Sequence, residues 1–195
     1  MSDHIFETVI TTCSPAGEVH VAPMGVRYAG QQVVLMPFRP SHTLDNVLAT
    51  RSAVLNVITD VRVFAGCVTG RRSWPTVPVD SADDTAAVRL ACAHSHLLLR
   101  LADVEEHAQR PTLRLVRLRE VMHSAFPGFN RAQAAVIEGA VLVSRLHLLP
   151  PDKVDRELAY LQIAIDKTAG PQELEGWTWL REAVARHRLP AMGAA

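Results

Sequence analysis

Arg39, Ser41, His42, Thr43 and Asn46 crowd one short stretch, where a β-rich run hands over to a helical one. Main-chain N–H groups at a helix N-terminus lack intrahelical acceptors and carry partial positive charge. Such a junction therefore suits an anion such as phosphate. Arg39 would add a bidentate donor, and Ser41 and Thr43 would add hydroxyls. The same residues also describe an ordinary helix cap beside a surface arginine, since Ser and Thr are favoured N-caps.

A second stretch, Ala22-Pro23-Met24-Gly25-Val26, offers different chemistry. Gly25 carries no Cβ, so another group can approach the backbone closely. Strand backbone flanked by aliphatic side chains suits a flat, apolar ring edged with donors and acceptors. A β-bulge or an edge strand accounts for the same residues.

Other chemistry-bearing residues carry less. Arg131, Glu138 and Arg145 are spaced by seven, close to two helical turns, so they share one side of a helix near Asn130 and Ser144. Ion pairs along that helix or across a dimer, or a cationic wall for an acidic substrate, both fit. His94 and His96 stand at i and i+2 on one strand face, but no HxxxH or carboxylate set accompanies them. We therefore expect no metal. Cys67 and Cys92 lack an evident base and read as buried small hydrophobes. G-x-S-x-G, the P-loop and G-x-G-x-x-G do not occur, which leaves serine hydrolase, NTPase and Rossmann readings without support.

The elements that must position these residues follow from periodicity and punctuation. Ile5–Thr12, Glu18–Val26 and Gln32–Phe38 read as three strands joined by the turns Ser14-Pro15-Ala16-Gly17 and Ala29-Gly30. A loop from Phe38 to Thr43 leads into a helix, Leu44–Thr50, capped by Ser41 or Thr43. Ala53–Thr59 is a fourth strand, and Asp60 can cap a short helix holding Val61, Phe64 and Ala65. Arg71–Asp84 reads as an irregular loop. His96–Val104 and Thr112–His123 alternate, imperfectly, as two long strands. From Asn130 the pattern is helical: Ala132–Leu149, then Lys153–Lys167 behind Pro150-Pro151, then Gln172–His187 behind Gly170-Pro171.

The chain has 195 residues, 48% of them hydrophobic, enough for a sizeable core. Its 20 basic and 20 acidic side chains balance, so no overall field draws it to nucleic acid or to an anionic membrane. An anionic ligand must be held by a local cluster. Three cysteines without a CxxC pattern argue for reduced thiols in a cytoplasmic protein. The N-terminus has no basic signal-like region, and no apolar run reaches the ~18 residues of a membrane span.

Taken together, the segments ETVITT (7–12), HVAPMGVR (20–27), FRPSHTLDNV (38–47), LNVITDV (55–61) and FNRAQAAVIEGAVLVSR (129–145), with the helical tail, resemble the DUF447 family of the FMN-binding split-barrel superfamily, the flavin reductase-like and pyridoxamine-phosphate-oxidase-like proteins. The resemblance covers most of the chain. It implies a mainly β plus α fold: a six-stranded split β-barrel over residues 1–125, with a helical subdomain over 126–195 packed on the barrel or dimer interface. It further implies a homodimer with FMN near the interface. Arg39, Ser41, His42, Thr43 and Asn46 would serve the phosphate and ribityl chain, and Pro23, Met24, Gly25 and Val26 would line the ring. Asn56 would either meet a ring edge or satisfy the backbone of helix 60–66. An oxidoreductase of unidentified substrate follows, with no single acid–base residue marked out. Family context associates it with pterin-dependent one-carbon metabolism. Two other readings are a non-catalytic sensor of flavin or a nucleotide-like ligand, and a heme-handling barrel with His20 or His42 as axial ligand.

Overall fold

The computed structural model describes residues 4–81 and 85–189. The chain divides into two compact units, residues 1–59 with 72–126 and residues 60–71 with 127–195. A single cut near residue 125 does not reproduce this division, because 60–71 group with the C-terminal helices.

The first unit is built on antiparallel strands: β1 (Phe6–Cys13), β2 (Val19–Ala29), β3 (Gln32–Leu35), β4 (Ser52–Val57), β5 (Thr76–Pro78), β6 (Val88–Leu90), β7 (Ser95–Glu105) and β8 (Thr112–Met122). A closed barrel runs in the order β1-β2-β3-β8-β7-β4, and β5 pairs with β6 apart from it. The β2–β3 turn holds only Gly30 and Gln31 between the partners Ala29 and Gln32, and Gly30 supplies the positive φ of 61° that so tight a turn requires. Helix α1 (His42–Thr50) leaves the barrel after β3 and returns to β4.

Alternation decides what fills the barrel. Ile10, Val26, Leu35, Leu55, Leu99 and Leu115 project inward, and Leu44 and Val47 of α1 join them in one buried cluster. Each such side chain contributes about 1.5–3 kcal/mol when fully buried. The imperfect alternation of β7 and β8 has a structural cause: register shifts at Leu98/Leu99 and at Leu101/Asp103. Each shift moves the following side chains to the other face.

The outer face of β1, β4 and β7 is covered by β5 and β6. Val54, Leu98 and Ala87 bury each other there, with Val79 against them. The stretch expected to be an irregular loop, Arg71–Asp84, thus contains a strand, though 82–84 lie outside the described residues. A three-residue strand ending in Pro78 is too short to show a period, and its partner lies ten residues on. Cys92 also departs from expectation. It is exposed, in the turn after β6, and Cys67 is half-buried.

Register sets Pro23, Val9, Asn56 and His96 side by side across β2, β1, β4 and β7. Asn56 is fully buried. Its Nδ2 donates to Val9 O at 3.1 Å, to Thr11 Oγ1 at 3.2 Å and to Val54 O at 3.2 Å. Its Oδ1 accepts from Leu90 N at 2.8 Å. Asn56 therefore ties β6 to the barrel wall. Neither expectation for it holds, since its donors and acceptor are spent on β1, β4 and β6.

His96, 4% exposed, shares a hydrogen bond of 2.8 Å between its Nδ1 and Nε2 of His123. The rings lie 6° apart in plane with centroids at 5.0 Å. Burial, then His123, Arg89 and Arg119, push the His96 pKa down to about 4. His94 spends both ring nitrogens on hydroxyls, Thr59 Oγ1 and Ser124 Oγ, each at 2.7 Å.

The second unit contains α2 (Arg62–Val68), α3 (Arg131–Ser144), α4 (Pro151–Thr168) and α5 (Pro171–Arg188). Asn130 caps α3 by accepting from Ala132 N and Gln133 N, and its own Nδ2 donates to Thr168 O at 3.0 Å. Helix α3 ends at Ser144, short of the expected Leu149, in a run of tight turns before Pro150. A Cβ on Gly139 would stand 2.9 Å from the Trp177 ring, so that glycine lets α5 pack closely on α3. Arg131, Glu138 and Arg145 are exposed, and no ion pair joins them among the described residues.

Two outcomes follow. Asn56→Ala leaves the buried Leu90 N–H without its acceptor and should lower unfolding free energy by about 1–3 kcal/mol in a urea titration. The neutral His96 is favoured in the folded chain and the unfolded group titrates near 6.5, so its contribution is full above that pH. Stability should fall as pH drops from there towards 4, by at most about 1.4 kcal/mol per pH unit. His96→Gln should remove that part of the slope.

Candidate functional site

A long stretch of β2 has a strand on one side only, and this follows from a mismatch in length. β2 pairs with β1 from Val19 to Val26, whereas β3 reaches only Val26 to Ala29. β3 is four residues long, and the chain then turns away towards α1. Residues 19–25 of β2 thus have a strand on one side alone among the described residues. Pro23 suits such an edge because it cannot donate to a further ladder.

Alternation along this edge divides the expected ring-lining residues. Pro23 and Gly25 share the outer face with Val19 and Val21. Val26 is fully buried in the barrel core, and Met24 packs against the same core. The Val26 side chain is therefore closed off by the core, whereas that of Met24 is half-buried. The close approach that Gly25 permits is already used within the chain. A Cβ there would stand 2.6 Å from Cγ2 of Ile5.

The N-terminus of α1 lies beside the inner face of the same edge. Ser41, in extended conformation, accepts from Leu44 N at 3.3 Å, which makes Ser41 rather than Thr43 the cap. His42 and Thr43 open the helix, where main-chain N–H groups have no acceptor within it. The His42 ring lies 5.2 Å from that of His20, which faces Thr12 across the β1–β2 ladder. Asn46 Nδ2 donates to Thr12 Oγ1 at 3.0 Å. Asn46 and Thr43 are both buried, and the Asn46 bond anchors α1 to the barrel. Arg39 is exposed. It pairs with Glu106 at 3.0 Å, and its main-chain N–H donates to Gln109 O at 2.8 Å.

The outer face of the edge borders a cleft of about 310 Å³ lined by Val19, Val21, Arg72, Ser73, Trp74 and Thr76. Burial, then His42, then Arg72, lower the His20 pKa from its ordinary value. Trp74 Nε1 is buried without a hydrogen-bond partner among the described residues. Sequence reasoning missed this segment. Its one signal was Arg72 and Trp74 close together in a stretch read as loop.

The expected residues thus separate. Pro23, Gly25, Ser41 and His42 gather about one strand edge. Arg39 lies in an ion pair with Glu106, Asn46 and Asn56 hydrogen-bond within the barrel unit, and Thr43 and Val26 are buried. Chemically, the edge offers main-chain polar groups for a flat ring. The helix end, His20, His42 and Arg72 offer donors for an anion.

Solved structures share this architecture. An FMN-bound protein from Methanosarcina mazei is 23% identical, with a TM-score of 0.79 over 92% of this chain and 94% of that one. The NADH:FAD oxidoreductase SgcE6 of Streptomyces globisporus is 10% identical, with a TM-score of 0.51 over 62% of this chain and 78% of its own. Nitrilotriacetate monooxygenase component B from Bacillus cereus is 15% identical, with a TM-score of 0.50 over 64% and 72%. At these identities the likeness establishes the split-barrel fold. No curated protein sequence matches the chain. The family model for the N-terminal domain of the DUF447 proteins of unknown function matches residues 6–124, and the model for their C-terminal part matches residues 130–182. The chain belongs to the DUF447 family.

Proposed function

We propose that this chain is an FMN-binding flavoprotein, an oxidoreductase that works as a homodimer. The observation that carries the reading is the stretch of β2 at residues 19–25 that β3 does not reach, set between the N-terminus of α1 and the cleft beside Arg72. FMN has the matching parts: a flat ring with hydrogen-bonding edges at one end and a phosphate at the other. Pro23 lies three residues from His20, about 10 Å along the strand, so the ring and anion sites are separated by a ribityl-sized distance. The FMN-bound relative from Methanosarcina mazei supports the same cofactor.

Each residue then has a task. The Pro23–Gly25 backbone borders the ring, with Ile5 closing over Gly25. Ser41 holds the first turn of α1 in place, and the N–H groups of His42 and Thr43 face the phosphate. When bound, FMN supplies hydride and electron transfer, and the protein supplies position and field. Val19 is exposed and apolar on this edge, and Ile5 and Phe6 are exposed and apolar at the start of the neighbouring β1. Natural proteins cover such edges, and a second subunit would do so here.

The visible spectrum of the purified protein and a flavin titration test this. The expected result is a flavin spectrum, or stoichiometric quenching of FMN fluorescence with weaker binding of riboflavin. A colourless protein that quenches neither flavin refutes the proposal. Light scattering should give twice the chain mass of 21.4 kDa. A monomer at micromolar concentration would remove the dimer from it.

A further inference from the structure

Arg39 is the arginine that sequence order places beside the helix end, yet it is the less available cation. Its guanidinium is held 3.0 Å from Glu106, and its main chain is tied to Gln109. Arg72 contrasts with it. Arg72 is exposed, lines the cleft against Val19 and Val21, and has no carboxylate partner among the described residues. Between Val19 and Val21 stands His20, whose ring meets that of His42 at 5.2 Å. Three basic groups from three separate segments, β2, α1 and the 72–76 stretch, thus converge on one end of the open edge. Burial first, then His42 and Arg72, disfavour a charge on His20. An anion beside these groups would relieve that cost.

We infer that Arg72, with His20 and His42, forms the anion clamp of this site and sets its preference for a phosphorylated ligand, in place of Arg39. The inference rests on the flavin reading and assigns the phosphate end of the ligand. Ser73 follows Arg72 in the cleft wall, so its hydroxyl reaches the same space. The segment lies far from α1 in sequence, on the opposite side of the β2 edge. A ligand lying along the edge is gripped from both sides, by main-chain N–H groups from α1 and by a guanidinium from the 72–76 stretch.

The test compares FMN and riboflavin affinities, read by fluorescence quenching, in the full chain and in Arg72→Ala, Arg72→Lys and Arg39→Ala. Arg72→Ala should weaken FMN about tenfold or more and leave riboflavin within about twofold, so that the preference for FMN collapses. Arg72→Lys should restore part of it, and Arg39→Ala should cost less than Arg72→Ala. Melting curves confirm that each variant is folded. FMN binding that is unchanged in Arg72→Ala overturns the clamp and leaves the flavin reading standing. Equal loss of both flavins overturns it too, since Arg72 would then support the cleft and not the phosphate. If the unaltered chain binds neither flavin, both the flavin reading and the clamp fall.

Discussion

β2 has eleven residues and β3 four, and the candidate site depends on that mismatch. Equal strands would pair to their ends and close the barrel along its whole height. Here the ladder stops at Val26, and the upper part of β2 keeps a single strand neighbour. Backbone polar groups that no strand satisfies must find water, side chains or a ligand. The rest of the unit holds this edge rigid. Leu44 and Val47 lock α1 into the barrel core, Asn46 ties it to Thr12, and Asn56 pins the outer hairpin through Leu90. A rigid edge loses little entropy on binding, and fixed polar groups on rigid strands are what orient a cofactor.

Electrostatics gives the edge a direction. One end carries apolar surface, with Ile5 over Gly25 next to Pro23. The other carries the helix end, two imidazoles and the Arg72 guanidinium. The net charge is zero, so no general field competes with this local one. A ligand with an apolar ring and an anionic tail has one favourable orientation here. The buried His96, bonded to the exposed His123, lies three strands further round the same outer face, next to Asn56 in register. It links barrel stability to mild acid without touching the edge.

Much of this was legible in the sequence. Alternation gave the strands, and Ser41 before an apolar helical face marked α1, because caps and periods are local signals. Pro23 within a strand marked an edge. What failed was assignment of direction. Pro23, Met24, Gly25 and Val26 are adjacent in sequence, but a strand sends neighbours to opposite faces, and Val26 went to the core. Asn46 stood in the polar cluster that opens α1, and Asn56 was left between a ring edge and the backbone of helix 60–66. Both turned out to satisfy buried backbone or side-chain partners. Arg72 and Trp74 were passed over because their segment has no period, and their position beside β2 is a product of tertiary structure alone.

Hydrogen–deuterium exchange of the protein with and without FMN tests the central claim most directly, because it reports which backbone the ligand covers. FMN should slow exchange at residues 19–25 of β2, at the first turn of α1 from His42, and across 72–76. The helices of the second unit should change little. Protection confined to other segments, with the β2 edge exchanging as fast in the presence of FMN as without it, would contradict the assignment of this edge as the binding site.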